Sequence, residues 1–259
     1  MVNREHLDEV ESQGYCLLDN VVSAELICEF ERQISVMASD HLSKLGIQAA
    51  HSDPFVDLFL VGGEYTARFY KLLGRLHVLN RMCMAIADAL DEAGFSEMAG
   101  IKVPLIWPDI RADIPGDSQR QLPVHQDYKS TQCGTALRMW VPLRDADERL
   151  GTMCVYPGTH RSGRLEHDMS DPLKPTVPEE YLQAADRLAI ELRAGNGVLM
   201  DPLLCHASVA NRSLRTKFTL LVQIQDLATM NDPRDPEHRG FSKLIAARER
   251  SERAMAAGT

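Results

Sequence analysis

The sequence predicts an α+β, mainly β fold in which helices from the N-terminal third flank a double-sheet β-barrel. Two observations predict it. Apolar residues recur at helical spacing through the first third of the chain, whereas from about residue 100 short apolar runs alternate with Pro, Gly and Asp. The second pattern is typical of antiparallel β-structure. The jelly roll, a cupin-like double-stranded β-helix, is one common way to close two such sheets.

The helical elements lie mostly in the first third. After Gly14, the apolar run 15–18 predicts a short strand, and Ser23 then stands as the N-cap of a helix. The stripe that this helix is expected to bury consists of Leu26, Phe30, Ile34 and Met37. A second helix is predicted around 75–93, and its buried stripe consists of Leu79, Met82, Ile86 and Leu90.

The remaining two thirds supply the strands. The short apolar runs that predict them are 101–106, 137–141, 153–156, 198–200 and 218–224. The Ala-, Arg- and Glu-rich segment 242–257 predicts a solvated terminal helix. No repeat or linker divides the chain, so we predict a single domain over 1–259. Its parts are mainly helical support (1–95), a jelly-roll core (100–226) and a C-terminal helix (240–258).

The charge balance bears on partners and location. A net charge of −9 argues against nucleic acid or an anionic membrane surface, since both require clustered Lys and Arg. The N-terminus is too polar for a signal peptide, and no apolar stretch is long enough to span a bilayer. The six cysteines form no Cys-x-x-Cys pair. We therefore expect a cytoplasmic protein that acts on a small molecule; the sequence does not define its oligomeric state.

Two distant motifs predict a metal site. His125 and Asp127 form a His-x-Asp pair, and His206 follows the apolar run 198–200. Because residues two apart on a strand share a face, the first two side chains can converge on one ion while Gln126 points away. Two histidines and one carboxylate are the set that non-haem iron oxygenases use, with other positions left open.

The same tripeptide pattern also occurs at His51 and Asp53. Pro54 follows directly, which disfavours a central strand, and the motif lies in the helical third. We therefore interpret this copy as a solvated loop rather than the metal pair.

The motifs together resemble the phytanoyl-CoA dioxygenase family of iron(II), 2-oxoglutarate-dependent oxygenases. Besides the triad, the matching stretches are 14–20, 139–146, 156–163, 195–201 and 206–215. The segment 150–153 departs from the family pattern, and the gap between the distal histidine and the following arginine is shorter than is common.

The resemblance implies a set of functional residues. His125, Asp127 and His206 are the expected catalytic residues and ligands of Fe(II). Arg215 is expected to anchor the far carboxylate of 2-oxoglutarate, with Ser208 as its hydroxyl helper and Trp140 as a wall beside it. The short gap leaves Arg212 open as the alternative anchor. O2 completes the set of reactants.

The resemblance implies hydroxylation of a small molecule with release of succinate and CO2, although desaturation, epimerisation or cyclisation uses the same centre. The substrate is expected to meet the helical third and the loops 107–122 and 161–187. Nearby basic residues that an anionic substrate would meet are Arg111, Arg120 and Lys129. Two other functions stay open: a cupin-like metalloenzyme that does not use 2-oxoglutarate, and an inactive jelly-roll module that binds a ligand.

Overall fold

A computed structural model describes residues 2–62, 72–117, 121–127, 131–171, 174–182 and 185–231. In this part of the chain the α-helices are α1 (Arg4–Gln13), α2 (Ala24–Lys44), α3 (Pro54–Leu60), α4 (His77–Glu92) and α5 (Phe95–Met98). The strands are β1 (Tyr15–Leu18), β2 (Pro104–Asp113), β3 (Ala136–Pro142), β4 (Met153–Val155), β5 (Leu188–Ile190), β6 (Gly197–Met200), β7 (His206–Ser208) and β8 (Lys217–Asp226). Short 3-10 helices span Thr159–Ser162, Glu179–Tyr181 and Leu227–Thr229.

The strands form two antiparallel sheets. The larger sheet has the order β1-β6-β3-β8-β2, and the smaller sheet has the order β5-β4-β7. This confirms a mixed α and β fold with antiparallel sheets. No helix among the described residues combines the length and the apolar character needed to cross a bilayer. The expected C-terminal helix at 240–258 lies outside the described residues, and the single domain stays a prediction.

The N-terminal elements follow from local sequence signals. Asn3 caps α1, because its side chain accepts a hydrogen bond from the His6 backbone. Gly14 ends the helix with a φ of 90°, where an added Cβ would lie 2.7 Å from His160 Nδ1. Ser23 caps α2 as expected. The turn at Gly14 sends β1 onto the edge of the larger sheet beside β6.

The main core lies between the helices and the outer face of the larger sheet. The predicted stripes of α2 and α4 are buried there, with Met37 only partly buried. Phe30 and Phe55 both meet Phe218 of β8 edge-on, with ring centroids 5.2 and 4.9 Å away. The other face of β8 therefore points away from the helices, toward the smaller sheet.

The expected β2 was placed too early and was too short. It begins at Pro104 and continues to Asp113, so residues 107–113 are strand, whereas we expected a loop from 107. Pro108 lies inside this strand, although proline disfavours strand interiors. Among the described residues β2 is the edge strand, so one side of it pairs with no other strand there and a missing N–H is tolerated. The strand β5 was not predicted.

Candidate metal centre

Two segments that are distant in sequence carry the predicted triad. His206 begins β7, and His125 pairs with it through backbone hydrogen bonds of 2.9 and 3.0 Å. Asp127 is held by a different segment, because its N–H donates to the carbonyl of Pro202 at 2.7 Å. The His-x-Asp pair thus occupies an isolated bridge rather than the regular strand that we expected. Both side chains nevertheless lie on one side, next to His206.

The three side chains meet. His125 Nε2 lies 3.6 Å from Asp127 Oδ1, and His206 Nε2 lies 3.7 Å from Asp127 Oδ2. One ligand atom from each residue lies within 4.8 Å of the others. The two imidazole rings are 4.3 Å apart and inclined by 50°, so they approach a common point from different directions. This donor set fits one divalent cation.

Backbone carbonyls fix the orientation of both rings. Nδ1 of His125 donates to the carbonyl of Pro123 at 2.8 Å, and Nδ1 of His206 donates to that of Leu204 at 2.9 Å. With the proton on Nδ1, the lone pair of each Nε2 faces Asp127. Outer hydrogen bonds of this kind select the metal-binding tautomer of histidine.

Charge states also suit a metal. Burial, and to a smaller extent the nearby His125, lower the pKa of His206 to about 4, so this imidazole is neutral at ordinary pH. Burial would raise the pKa of Asp127, but the Arg138 guanidinium, with Nε 3.1 Å from Oδ2, and the two histidines hold it well below its usual range. The site offers two imidazole nitrogens and one carboxylate as donors.

Gln126 points away from the triad, as expected, and secures the motif. Its side chain donates to the carbonyls of Gly163 and Leu203 at 2.9 and 2.6 Å. Its backbone N–H donates to Nε2 of His167 at 3.0 Å, which the sequence did not predict. These contacts hold Gln126, the central residue of the motif, by both its backbone and its side chain.

His160 is not a ligand. Its ring hydrogen-bonds to the Glu11 carbonyl and supports the loop next to α1.

The triad opens into a cavity of about 90 Å³ that both sheets line, room for several water-sized groups. Trp140 and Ser208, the expected cosubstrate contacts, both line it. So do three basic residues, Arg111, Arg138 and Lys217. Arg120 and Lys129, the other basic residues of interest, lie outside the described residues. The cavity therefore combines the predicted metal ligands with positive charge.

Arg215 does not join this group. It is exposed in the turn before β8 and lines a different cavity, beside Arg144 and Asp145. Asn211 and Ser213 hold the turn by donating to the Arg215 carbonyl at 2.7 and 3.1 Å. Arg212 is also exposed. The strand begins at Lys217, two residues later than the sequence placed its anchoring arginine.

Sequence reasoning missed Lys217, although a signal was present. Lys217, Thr219 and Leu221 alternate along β8 with the core residues Phe218 and Leu220, so they share the cavity face. Lys217 is only 3% exposed, and its Nζ lies 2.9 Å from Asp113 on the neighbouring strand. Burial lowers its pKa, while Asp113 opposes the change. The signal was a lysine in an apolar strand, at a position that alternates with the core residues and therefore faces the cavity.

The second His-x-Asp motif has a structural role. Asp53 is buried as the N-cap of α3 and lies 2.6 Å from Nη1 of Arg144. His51 instead pairs with Asp57, at 2.7 Å and near the surface. Asp53 thus faces Arg144, not His51, and the prediction of a solvated loop holds for His51 but is wrong for Asp53.

A histidine pair and a carboxylate in a cavity between antiparallel sheets define a non-haem iron oxygenase centre. The family model for phytanoyl-CoA dioxygenase (PhyH) matches residues 10–219. The chain therefore belongs to the phytanoyl-CoA dioxygenase family, whose members are iron- and 2-oxoglutarate-dependent oxygenases of small molecules.

Solved structures share the fold. The carbocyclase SnoK from nogalamycin biosynthesis aligns with a TM-score of 0.54 and 21% identity, over 87% of this chain and 84% of its own. The non-haem monooxygenase ThoJ aligns with a TM-score of 0.58 and 20% identity, over 88% of this chain and 77% of its own. EvdO2 from Micromonospora carbonacea var. aurantiaca, solved with 2-oxoglutarate, aligns with a TM-score of 0.54 and 18% identity, over 92% of this chain and 96% of its own. No curated protein matches the sequence.

Proposed function

We propose that the chain hydroxylates a small organic molecule, with Fe(II) on His125, Asp127 and His206 and 2-oxoglutarate as cosubstrate. The observation that carries the proposal is the convergence of two pre-oriented imidazoles and one carboxylate at a cavity with a basic end. We further propose that the two sheets close as a double-stranded β-helix around this cavity.

The basic end suits the far carboxylate of 2-oxoglutarate. Strand register pairs Arg111 with Thr219 and Asp113 with Lys217, so these four residues lie next to one another. Arg111 and Lys217 share the Asp113 carboxylate, with Arg111 Nε 2.8 Å from Oδ1. Thr219 Oγ1 is buried without a hydrogen-bond partner among the described residues. A carboxylate there would accept from the hydroxyl and from both cations.

The charge in the cavity agrees with a dianionic cosubstrate. Arg111, Arg138 and Lys217 contribute three positive charges, against two carboxylates from Asp113 and Asp127. A divalent ion adds further positive charge, which an oxo diacid neutralises. We assign the anchoring role to Lys217 with Arg111 and Thr219. Arg215, the residue that the resemblance implied, stays a prediction that the experiment below tests.

Iron bound to the triad, together with 2-oxoglutarate and O2, supplies the oxidising chemistry: one oxygen atom enters succinate as CO2 leaves, and the other becomes the new hydroxyl. The protein positions the reactants. The backbone carbonyls of Pro123 and Leu204 aim the histidine lone pairs, and Arg138 keeps Asp127 ionised. Trp140 and Ser208 line the cavity beside the triad.

Succinate release with Fe(II) and 2-oxoglutarate tests the function, and a pair of variants tests the anchor. We expect Lys217→Ala to raise the KM for 2-oxoglutarate about 10- to 100-fold, since a hydrogen bond to a charged group is lost. Arg215→Ala should leave it unchanged. The reverse pattern would return the anchor to Arg215. If the parent protein neither binds 2-oxoglutarate nor releases succinate, the cupin-like or inactive alternatives replace this proposal.

A further inference from the structure

The sheet face that carries the triad cavity extends beyond it along β2 and β8. Arg111 and Asp113 line or border the cavity, while Ile110 and Ala112 belong to the core on the other side. By alternation, Trp107 therefore lies on the cavity side of β2. The corresponding residues of β8 are Gln223 and Gln225, in phase with Lys217 and Leu221.

Strand register connects Trp107 to the metal ligands. Gln223 pairs with Trp107 on one side and with Arg138 on the other, which gives a row across three strands. Arg138 Nε lies 3.1 Å from Asp127 Oδ2. With strands about 4.8 Å apart, the backbone of Trp107 lies roughly 10 Å from that of Arg138. This distance matches the length of a small molecule that lies along the row of Trp107, Gln223 and Arg138.

Trp107 and Gln225 have unused binding capacity. Trp107 is 36% exposed, although it is one of the largest apolar side chains on this face. Gln225 is only 1% exposed; its Oε1 accepts from the Gln132 backbone, but its Nε2 has no partner among the described residues. A buried amide donor without a partner is costly unless a ligand supplies an acceptor.

We infer that Trp107, Gln223 and Gln225 form the substrate wall of this oxygenase, and that it receives a neutral, ring-containing molecule rich in carbonyl or hydroxyl oxygens. The inference rests on the proposed function. The indole face suits a flat or ring-shaped surface, and the amide and indole donors need oxygen acceptors. Asp109, exposed on the same face between Trp107 and Arg111, disfavours polyanions such as a coenzyme A thioester.

The test uses three probes on the full chain loaded with Mn(II) and 2-oxoglutarate: 5-hydroxy-1-tetralone, its hydrocarbon counterpart tetralin, and decanoyl-coenzyme A. Calorimetry first measures Mn(II) and 2-oxoglutarate binding, then probe binding. We expect the tetralone to bind more tightly than either other probe. Trp107→Ala should weaken it about tenfold, and Trp107→Phe about twofold, because the phenyl ring keeps most of the stacking surface.

Leu188→Ala is the matched control, because Leu188 is a large apolar residue with similar exposure, 44%, on β5 of the smaller sheet. It should bind the tetralone as the parent does. Equal tetralone affinity in the parent and Trp107→Ala proteins, absence of tetralone binding, or preference for the thioester overturns the inference. Any of these results with normal Mn(II) and 2-oxoglutarate binding leaves the proposed function standing, whereas loss of both in the parent protein refutes that function itself.

Discussion

Two copies of the His-x-Asp pattern in this chain, at 51–53 and at 125–127, have different roles. At His125 and Asp127 the backbone bonds to His206 and Pro202, and both side chains turn to one point beside His206. At His51 and Asp53 a helix begins, so Asp53 caps α3 and binds Arg144, while His51 turns to Asp57. The difference teaches that the segments around a His-x-Asp pair, rather than the two residues themselves, decide whether the pair can chelate.

The largest expected difference between the copies is in metal binding. His125→Ala removes a ligand, so we expect metal affinity to fall by more than about a hundredfold, beyond the loss usual for outer-shell changes. Succinate release should disappear with it. Equilibrium dialysis with Fe(II) or Mn(II) measures the loss. Retained stoichiometric binding at parental affinity would show that the triad is not the metal site.

For stability we expect the opposite order, because the copy at His51 and Asp53 contributes a buried ion pair to the fold. Asp53→Ala leaves the buried Arg144 with only part of its ion pairing, and the Thr216 N–H loses its acceptor at 2.9 Å. Breaking a buried ion pair of this kind costs about 3–5 kcal/mol. Urea unfolding of the metal-free protein should report a loss of that order. Glu31, which also pairs with Arg144, places the expectation at the lower end. A loss too small to measure would mean that the Asp53–Arg144 ion pair does not stabilise the fold.

A smaller effect is expected at His167, which supports only the metal copy of the motif. His167→Ala leaves the Gln126 N–H buried without an acceptor, at a cost of about 1–3 kcal/mol. Metal affinity should also fall, by about tenfold, because the motif loses a support behind its ligands. Unfolding and dialysis on the same variant measure both values. If metal affinity is unchanged while stability falls, His167 supports the loop alone.

The smallest effect belongs to His51→Ala. Its ring is partly exposed and pairs with Asp57 near the surface, so we expect a loss of less than about 1 kcal/mol. Metal affinity and succinate release should match the parent. This variant is the control for His125→Ala, and a clear loss of metal binding here would undo the distinction between the two copies.

Much of the site could be predicted from the sequence, because ligand identity and spacing are local properties. The motif around Asp127 and the isolated His206 carry their chemistry in their residue types, and Trp140 and Ser208 followed from the resemblance. The end of the cavity that we propose for the cosubstrate could not be predicted in the same way. It depends on the turn that Asn211 and Ser213 form, which delays the strand to Lys217.

The strands show the same division. Apolar runs located β1, β3, β4, β6 and β8 to within a few residues. The extent of β2 was wrong because Pro108 is acceptable only on an edge strand, and edge position is a property of the whole sheet. The role of Asp53 was missed for a similar reason, since its partner Arg144 lies far away in the chain.

Main-chain carbonyls, rather than a particular ion, aim both imidazoles of the triad. Such a site accepts any first-row dication of suitable size, and intrinsic affinity for nitrogen and oxygen ligands favours copper, nickel and zinc over ferrous iron. Discrimination then falls to the supply of ions around the protein. We expect protein prepared in zinc- or nickel-rich medium to carry those ions and to release no succinate until they are exchanged for iron.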